Sequence, residues 1–216
     1  MKNEVNGSEH KPVLIVIAGP NGSGKTSVTT HLLHHEWMED AIYINPDMIA
    51  QERFGDWNSP EAILQSVKYC EDLREKCLNE KHSLIFETVL SIENKVDFIR
   101  RAHHAGFFVR LFFVCTKNPQ INAARIAKRV MEGGHDVPIS KIISRYYKSI
   151  ANCANAAQYA DKTYLYVVLG CLSCIEKIVG KLTLIRICRY EELEPVILWT
   201  FTPDTEEPVF SCWQLC

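Results

Sequence analysis

The 216 residues carry 47% hydrophobic and 23% charged side chains, which suits one packed domain and excludes wholesale disorder. Lys plus Arg number 24 against 26 Asp plus Glu, and this net charge of −2 argues against a protein that coats a polyanion. No stretch approaches the roughly 18 unbroken apolar residues of a membrane span. The polar segment 1–11 lacks the apolar centre of a secretory signal, so a cytoplasmic chain with no membrane partner is expected.

Nine cysteines, an odd number scattered over helix-like and strand-like segments, do not read as a disulfide framework. Cys171 and Cys174 form a CxxC. A zinc site needs about four nitrogen or sulfur ligands, and no second CxxC or HxxxH supplies the rest. Reduced thiols are expected.

In chain order, short apolar runs alternate with longer amphipathic segments. Pro12–Ala18 reads as a buried strand and Lys25–His35 as the helix after it. Ala41–Ile44 is a short second strand. Ser59, with Pro60 at the first helical position, opens a helix toward Glu80. Ser83–Glu87 is the third strand, and Ser91 is expected to cap a helix that ends at Gly106. Phe107–Cys115 is apolar nearly throughout, as a strand covered on both faces would be. Asn118-Pro119 opens a helix that stops at Gly133-Gly134. Ser140–Ala160 is helical, and Thr163–Leu169 is a fifth strand. The alternation predicts an α/β fold with a mostly parallel sheet flanked by helices. Beyond it, Lys181–Cys188 and Val196–Phe201 look like strands of an antiparallel hairpin at the sheet edge.

One motif fits at every required position. Gly19-Pro20-Asn21-Gly22-Ser23-Gly24-Lys25-Thr26 matches G-x-x-x-x-G-K-[ST], directly after a buried strand and opening a helix. Such a loop curls backbone N–H groups around phosphate oxygens at a helix N-terminus. Lys25 would reach the β- and γ-phosphates, and the Thr26 hydroxyl would ligate Mg²⁺. Asn94-Lys-Val-Asp97 matches the NKxD guanine motif, but it lies in a helix-like stretch too soon after the third strand, and no DxxG precedes it. ATP is therefore the expected nucleotide. This divides the chain into a polar segment 1–11, a P-loop kinase domain 12–169 and a tail 170–216.

A kinase acting on an alcohol needs a carboxylate at the acceptor hydroxyl and cations on the moving phosphoryl group. Asp47 follows the second strand at the edge that carries the phosphate loop; capping the next turn fits its spacing equally well. Glu87 and Thr88 end the third strand on that edge, where Glu87 could hold a Mg²⁺-bound water, bind substrate hydroxyls or simply face solvent. Arg125 and Arg129 share a helix face. A glycine pair follows them, then a helix bearing Lys141, Arg145 and Lys148. The two helices read as a lid that closes arginines over phosphates, with a solvated face as the plain alternative, favoured for Lys141 and Lys148.

Taken together, Gly19–Thr26, Asn45-Pro-Asp47-Met-Ile-Ala50, Phe86-Glu-Thr88, Arg129-Val-Met-Glu-Gly-Gly-His135-Asp-Val-Pro138 and Arg145-Tyr-Tyr-Lys-Ser149 resemble the zeta toxin family of P-loop kinases. The resemblance runs in order from about Pro12 to Tyr166. It implies phosphorylation of a small-molecule hydroxyl by ATP and Mg²⁺, with UDP-N-acetylglucosamine as the best-known acceptor and an antitoxin protein as a candidate partner. It implies Asp47 as general base and Lys25, Arg129 and Arg145 as catalytic cations. Glu87, Thr88 and, less securely, Arg125 would contact the acceptor. After Tyr164-Leu-Tyr166 the chain departs from the family, continuing as Val-Val-Leu-Gly-Cys. Two other readings remain: an ATP-binding regulatory module whose altered tail has weakened catalysis, and a polynucleotide 5′-kinase, which the near-neutral charge disfavours.

Overall fold

The computed structural model describes residues 11–32, 40–54, 59–133, 137–168 and 196–201. In chain order the elements are β1 (Val13–Ala18), α1 (Lys25–Leu32), β2 (Ile42–Ile44), α2 (Pro46–Phe54), α3 (Pro60–Glu80) and β3 (Leu84–Thr88). They continue as α4 (Glu93–His104), β4 (Phe108–Thr116), α5 (Pro119–Met131), α6 (Ile139–Ala157), β5 (Lys162–Val168) and β6 (Val196–Phe201). The strands form one sheet in the order β2-β3-β1-β4-β5-β6. The first five run parallel, and β6 pairs antiparallel with β5.

Strand periodicity assigns the two faces of this sheet. Leu14 and Val16 of β1, with Leu84 and Phe86 of β3, enter a core closed by α3, α4 and α6. Ile15, Ile17 and Ile85 point to the opposite face, where Val28 of α1 and Tyr43 pack. Residues two apart on a strand share a face, so Glu87 extends the Ile85 side toward α1. Phe86, fully buried on the other side, meets the Phe98 ring edge-on at 5.6 Å and lies under the Arg74 guanidinium.

Helix ends follow their capping chemistry. Ser59 Oγ accepts the Ala62 N–H at 3.0 Å and Asn118 Oδ1 accepts that of Ile121 at 3.1 Å, each before a proline at the first helical position. Past α4, Gly106 adopts φ 87° while the Phe107 N–H reaches back to Ala102 O, a Schellman stop. Ser91 is not the α4 cap. That position belongs to Ile92, which offers no side-chain acceptor.

A second difference concerns Asn45–Ala50, for which the sequence predicts no helix, only a turn that Asp47 could cap. The structure makes it the start of α2, with Pro46 at the first position and Asn45 as cap. Asn45 Oδ1 accepts the Asp47 N–H at 2.9 Å, and Asn45 O accepts that of Ile49 at 3.1 Å. The C-terminal part of the helix expected over Lys25–His35, the strand expected at Lys181–Cys188 and the Cys171/Cys174 pair lie outside the described residues. The edge strand Val196–Phe201 is found, paired to β5. Cys70, Cys77 and Cys153 are free, buried thiols, and Cys115 is buried as well. Among the described residues no helix is long and apolar enough to cross a membrane.

Candidate functional site

The phosphate loop leaves β1 at the centre of the sheet, between β3 and β4, and runs into α1. Its shape is imposed by close backbone contacts. Gly19 has φ 148° and its N–H donates to Thr88 O at 3.1 Å; a Cβ there would lie 2.0 Å from the Val114 carbonyl oxygen. Gly22, at φ 74°, sits against α5, where a Cβ would lie 2.7 Å from Asn122 O. Only glycine tolerates both the positive φ and the approach.

Lys25 is half-buried at the start of α1. Its Nζ donates to the loop's own carbonyls, Gly19 O at 2.9 Å and Pro20 O at 3.1 Å. Burial lowers its pKa to about 8, opposed by the carboxylates of Glu87 and Asp47 and reinforced by the Arg129 cation. Residues from β3, α2 and the last turn of α5 are thus electrostatic neighbours of one ammonium. Thr26 is exposed at the helix N-terminus. Ser23, also in the loop, is fully buried with its hydroxyl lacking a hydrogen-bond partner.

Glu87 is not a solvated strand-end carboxylate. Its Oε1 accepts from Thr29 Oγ1 of α1 at 2.8 Å and from the Tyr43 hydroxyl of β2 at 2.7 Å. Asn45 Nδ2 donates to that same Tyr43 oxygen at 2.9 Å. Because Asn45 Oδ1 also holds the Asp47 N–H, one chain of contacts connects α1, Glu87, Tyr43, Asn45 and Asp47. The carboxylate of Asp47 itself is exposed in the first turn of α2, so capping is the work of Asn45. Burial and the neighbouring carboxylates raise the Tyr43 pKa, keeping the phenol a neutral donor. Thr88 faces the other way, its Oγ1 accepting the Leu90 N–H at 3.0 Å.

From the opposite side, α5 and α6 bring their arginines to the loop. Arg125 Nη1 donates to Ser23 O at 3.4 Å, and Arg145 Nη1 reaches Asn21 Oδ1 at 3.5 Å, the limit of a hydrogen bond. Arg129 is exposed in the last turn of α5. Lys141 and Lys148 are exposed on α6. The segment Gly134–Asp136 of the expected lid lies outside the described residues. The NKxD match dissolves into ion pairs, Lys95 with Glu71 at 2.8 Å and Asp97 with Arg100 and Arg101. Tyr43, Asn45, Thr29 and Asn122 were not singled out from sequence. Asn45 lies in one of the segments that carry the resemblance and Tyr43 in the expected second strand, and nothing in spacing alone marks the other two.

The chemistry available is that of a cradle for phosphates with carboxylates on one flank and guanidiniums on the other. Among known families, a model of the zeta toxins matches residues 1–168. The chain belongs to the zeta toxin family. An uncharacterized protein of Haemophilus influenzae is 28% identical to this family member over 134 residues, covering 61% of this chain and 91% of that one. A structure from the PezAT chromosomal toxin–antitoxin system of Streptococcus pneumoniae superposes with a TM-score of 0.54 at 18% identity, covering 76% of this chain and 72% of that one. The AvrRxo1-ORF1:-ORF2 structure with ATP gives 0.56 at 18% identity, over 74% of this chain and 55% of that one. Likeness at such identities speaks for the fold, which is that of the P-loop kinases.

Proposed function

We propose that this zeta toxin family protein is an ATP-dependent kinase that phosphorylates a hydroxyl of a small molecule, with a sugar nucleotide such as UDP-N-acetylglucosamine as the acceptor to test first. The observation that carries the reading is the electrostatic grouping of Lys25 with Glu87, Asp47 and Arg129 around a glycine-shaped phosphate loop. Family membership supports it.

In this reading Gly19–Thr26 wrap the phosphates, and Lys25 exchanges its contacts with Gly19 O and Pro20 O for phosphate oxygens. The buried, unpartnered Ser23 hydroxyl suits a polyanion seated in the loop. Asp47 takes the proton of the acceptor hydroxyl, whose oxygen bonds to the γ-phosphorus as the bond to the β–γ bridging oxygen breaks and ADP leaves. Arg129 and Arg145 neutralise charge on the moving phosphoryl group. Arg125, held near Ser23 O, is better suited to the donor phosphates than to the acceptor contact implied by resemblance.

Mg²⁺ fits this donor set. Among the described residues no group of three or more His, Cys, Asp or Glu forms a metal cage. A magnesium that keeps most of its waters and borrows phosphate oxygens needs only the exposed Thr26 hydroxyl and a nearby carboxylate. Glu87, anchored through Oε1 and a neighbour of Lys25, is that carboxylate, whereas Thr88, its Oγ1 held by the Leu90 N–H, faces away from it. Bound there, the ion would neutralise charge on the β- and γ-oxygens.

The PezAT structure is described as part of a toxin–antitoxin system and AvrRxo1-ORF1:-ORF2 as a complex, and an antitoxin partner for this chain is proposed on that likeness. The deciding experiment is a screen of hydroxyl acceptors with ATP and Mg²⁺, read by mass spectrometry, with a 5′-hydroxyl oligonucleotide included. Phosphate gain on a sugar nucleotide supports the reading; gain on the oligonucleotide alone replaces it.

A further inference from the structure

Asn122 lies one turn inside α5, fully buried, and takes no part in the chemistry above. Its amide nitrogen donates to the Asn21 backbone carbonyl in the phosphate loop at 2.6 Å. A carbonyl can only accept, so this contact fixes the amide orientation and turns Oδ1 toward Thr116 at the end of β4. There Oδ1 accepts from the Thr116 hydroxyl, whose single proton is shared with Asn118 O at 3.1 Å. Thr116 is itself fully buried, and its carbonyl accepts the Tyr146 hydroxyl of α6 at 2.6 Å. The Asn122 main chain is also the surface on which Gly22 rests.

We infer that Asn122 is a positioning residue: a strut from the end of β4 to Asn21 that holds the phosphate loop open in its anion-binding shape. The loop is bound on its other flank by the Gly19 N–H to Thr88 O contact with β3. Between Gly19 and the start of α1, the strut is a buried side-chain tie to the loop backbone from outside it. Without it, the carbonyl of half-buried Asn21 loses its partner, and the loop relieves that cost by turning it toward water. The Gly22 N–H, which shares that peptide plane, turns with it. The consequence for nucleotide binding rests on the kinase reading; the consequence for loop order does not.

Amide hydrogen exchange on the ligand-free full chain tests the strut directly. Asn122→Asp keeps the acceptor for Thr116 but cannot donate to Asn21 O in its ionised form, and Asn122→Ala serves if the buried carboxylate prevents folding. Gln120→Ala, on the exposed side of α5, is the control. The expected result is exchange about tenfold faster in the peptide covering residues 19–26, the equivalent of one net hydrogen bond, with β4 and α6 peptides unchanged. ATP affinity falls by a similar factor while KM for the acceptor holds. Unchanged loop exchange, or acceleration spread equally over β4 and α6, overturns the inference. A wild type that binds no ATP overturns the kinase reading instead, and the exchange data still decide the strut.

Discussion

The Tyr43 hydroxyl donates to Glu87 Oε1 at 2.7 Å, joining β2 to β3 at the edge where the phosphate loop emerges. In register Tyr43 pairs with Ile85, so its side chain reaches one same-face position further along β3 to meet Glu87. Thr29 closes the triangle from α1 at 2.8 Å. A carboxylate so tied has one fixed oxygen and one left for the site. Tyr43→Phe removes a donor to a charged acceptor and strands Asn45 Nδ2, so a loss of about 1–2 kcal/mol is expected. A urea titration would read it as a lower midpoint at unchanged slope. A midpoint equal to wild type would mean the bond contributes nothing.

Lys25 should make nucleotide affinity pH-dependent. With a pKa near 8 in the free protein, the ammonium is charged below that pH and neutral above it. Bound phosphates favour the charged form and raise the pKa, so binding takes up a proton above pH 8. Affinity for ATP is therefore expected to be flat on the acid side and to fall about tenfold per pH unit above pH 8. Calorimetry in buffers of different ionisation enthalpy checks both the slope and the proton uptake. Lys25→Ala should bind weakly at every pH and lose the slope.

Much of this arrangement is legible in the amino-acid sequence because backbone geometry demands particular residues. Gly19 and Gly22 are required by contacts with Val114 O and Asn122 O, and the Gly-Lys-Thr end of the loop must open a helix. Side-chain relays leave no such trace. Tyr43 and Glu87 are 44 residues apart, and Asn122 and Asn21 are 101 apart, so only the folded register of the sheet and the docking of α5 bring them together. The missed helix α2 has the same root. Its cap, Asn45, stands beside a proline and an aspartate whose spacing fits capping as well as catalysis, and the folded chain gives the capping to Asn45.

Gly19→Ala provides a steric test of the loop. The added methyl would lie 2.0 Å from a backbone oxygen of β4, which cannot move as a side chain can. The expected outcome is a marked fall in melting temperature together with loss of ATP binding. Normal binding and melting in this variant would mean that the loop is not seated against Val114 as described.

Arg145 and Lys148 lie on the same helix with different surroundings, one reaching Asn21 and the other exposed. Arg145→Ala should lower kcat far more than it raises KM for ATP, as expected when an interaction strengthens in the transition state. Lys148→Ala should be near wild type. Equal small effects in a steady-state comparison would return Arg145 to a purely structural contact with the loop.

The central claim is that ATP-dependent transfer to a hydroxyl uses Asp47 as base, and Asp47→Asn tests it most directly. The amide keeps the shape of the side chain, and the helix cap is untouched because Asn45 supplies it. The measurement is phosphate transfer from ATP to the acceptor found in the screen, with ATP binding and melting temperature recorded on the same preparation. The account predicts binding and melting near wild type with transfer lowered roughly 10²–10⁴-fold. Transfer at the wild-type rate by the Asn variant would contradict it, as would a wild type that binds ATP and phosphorylates no hydroxyl in the panel.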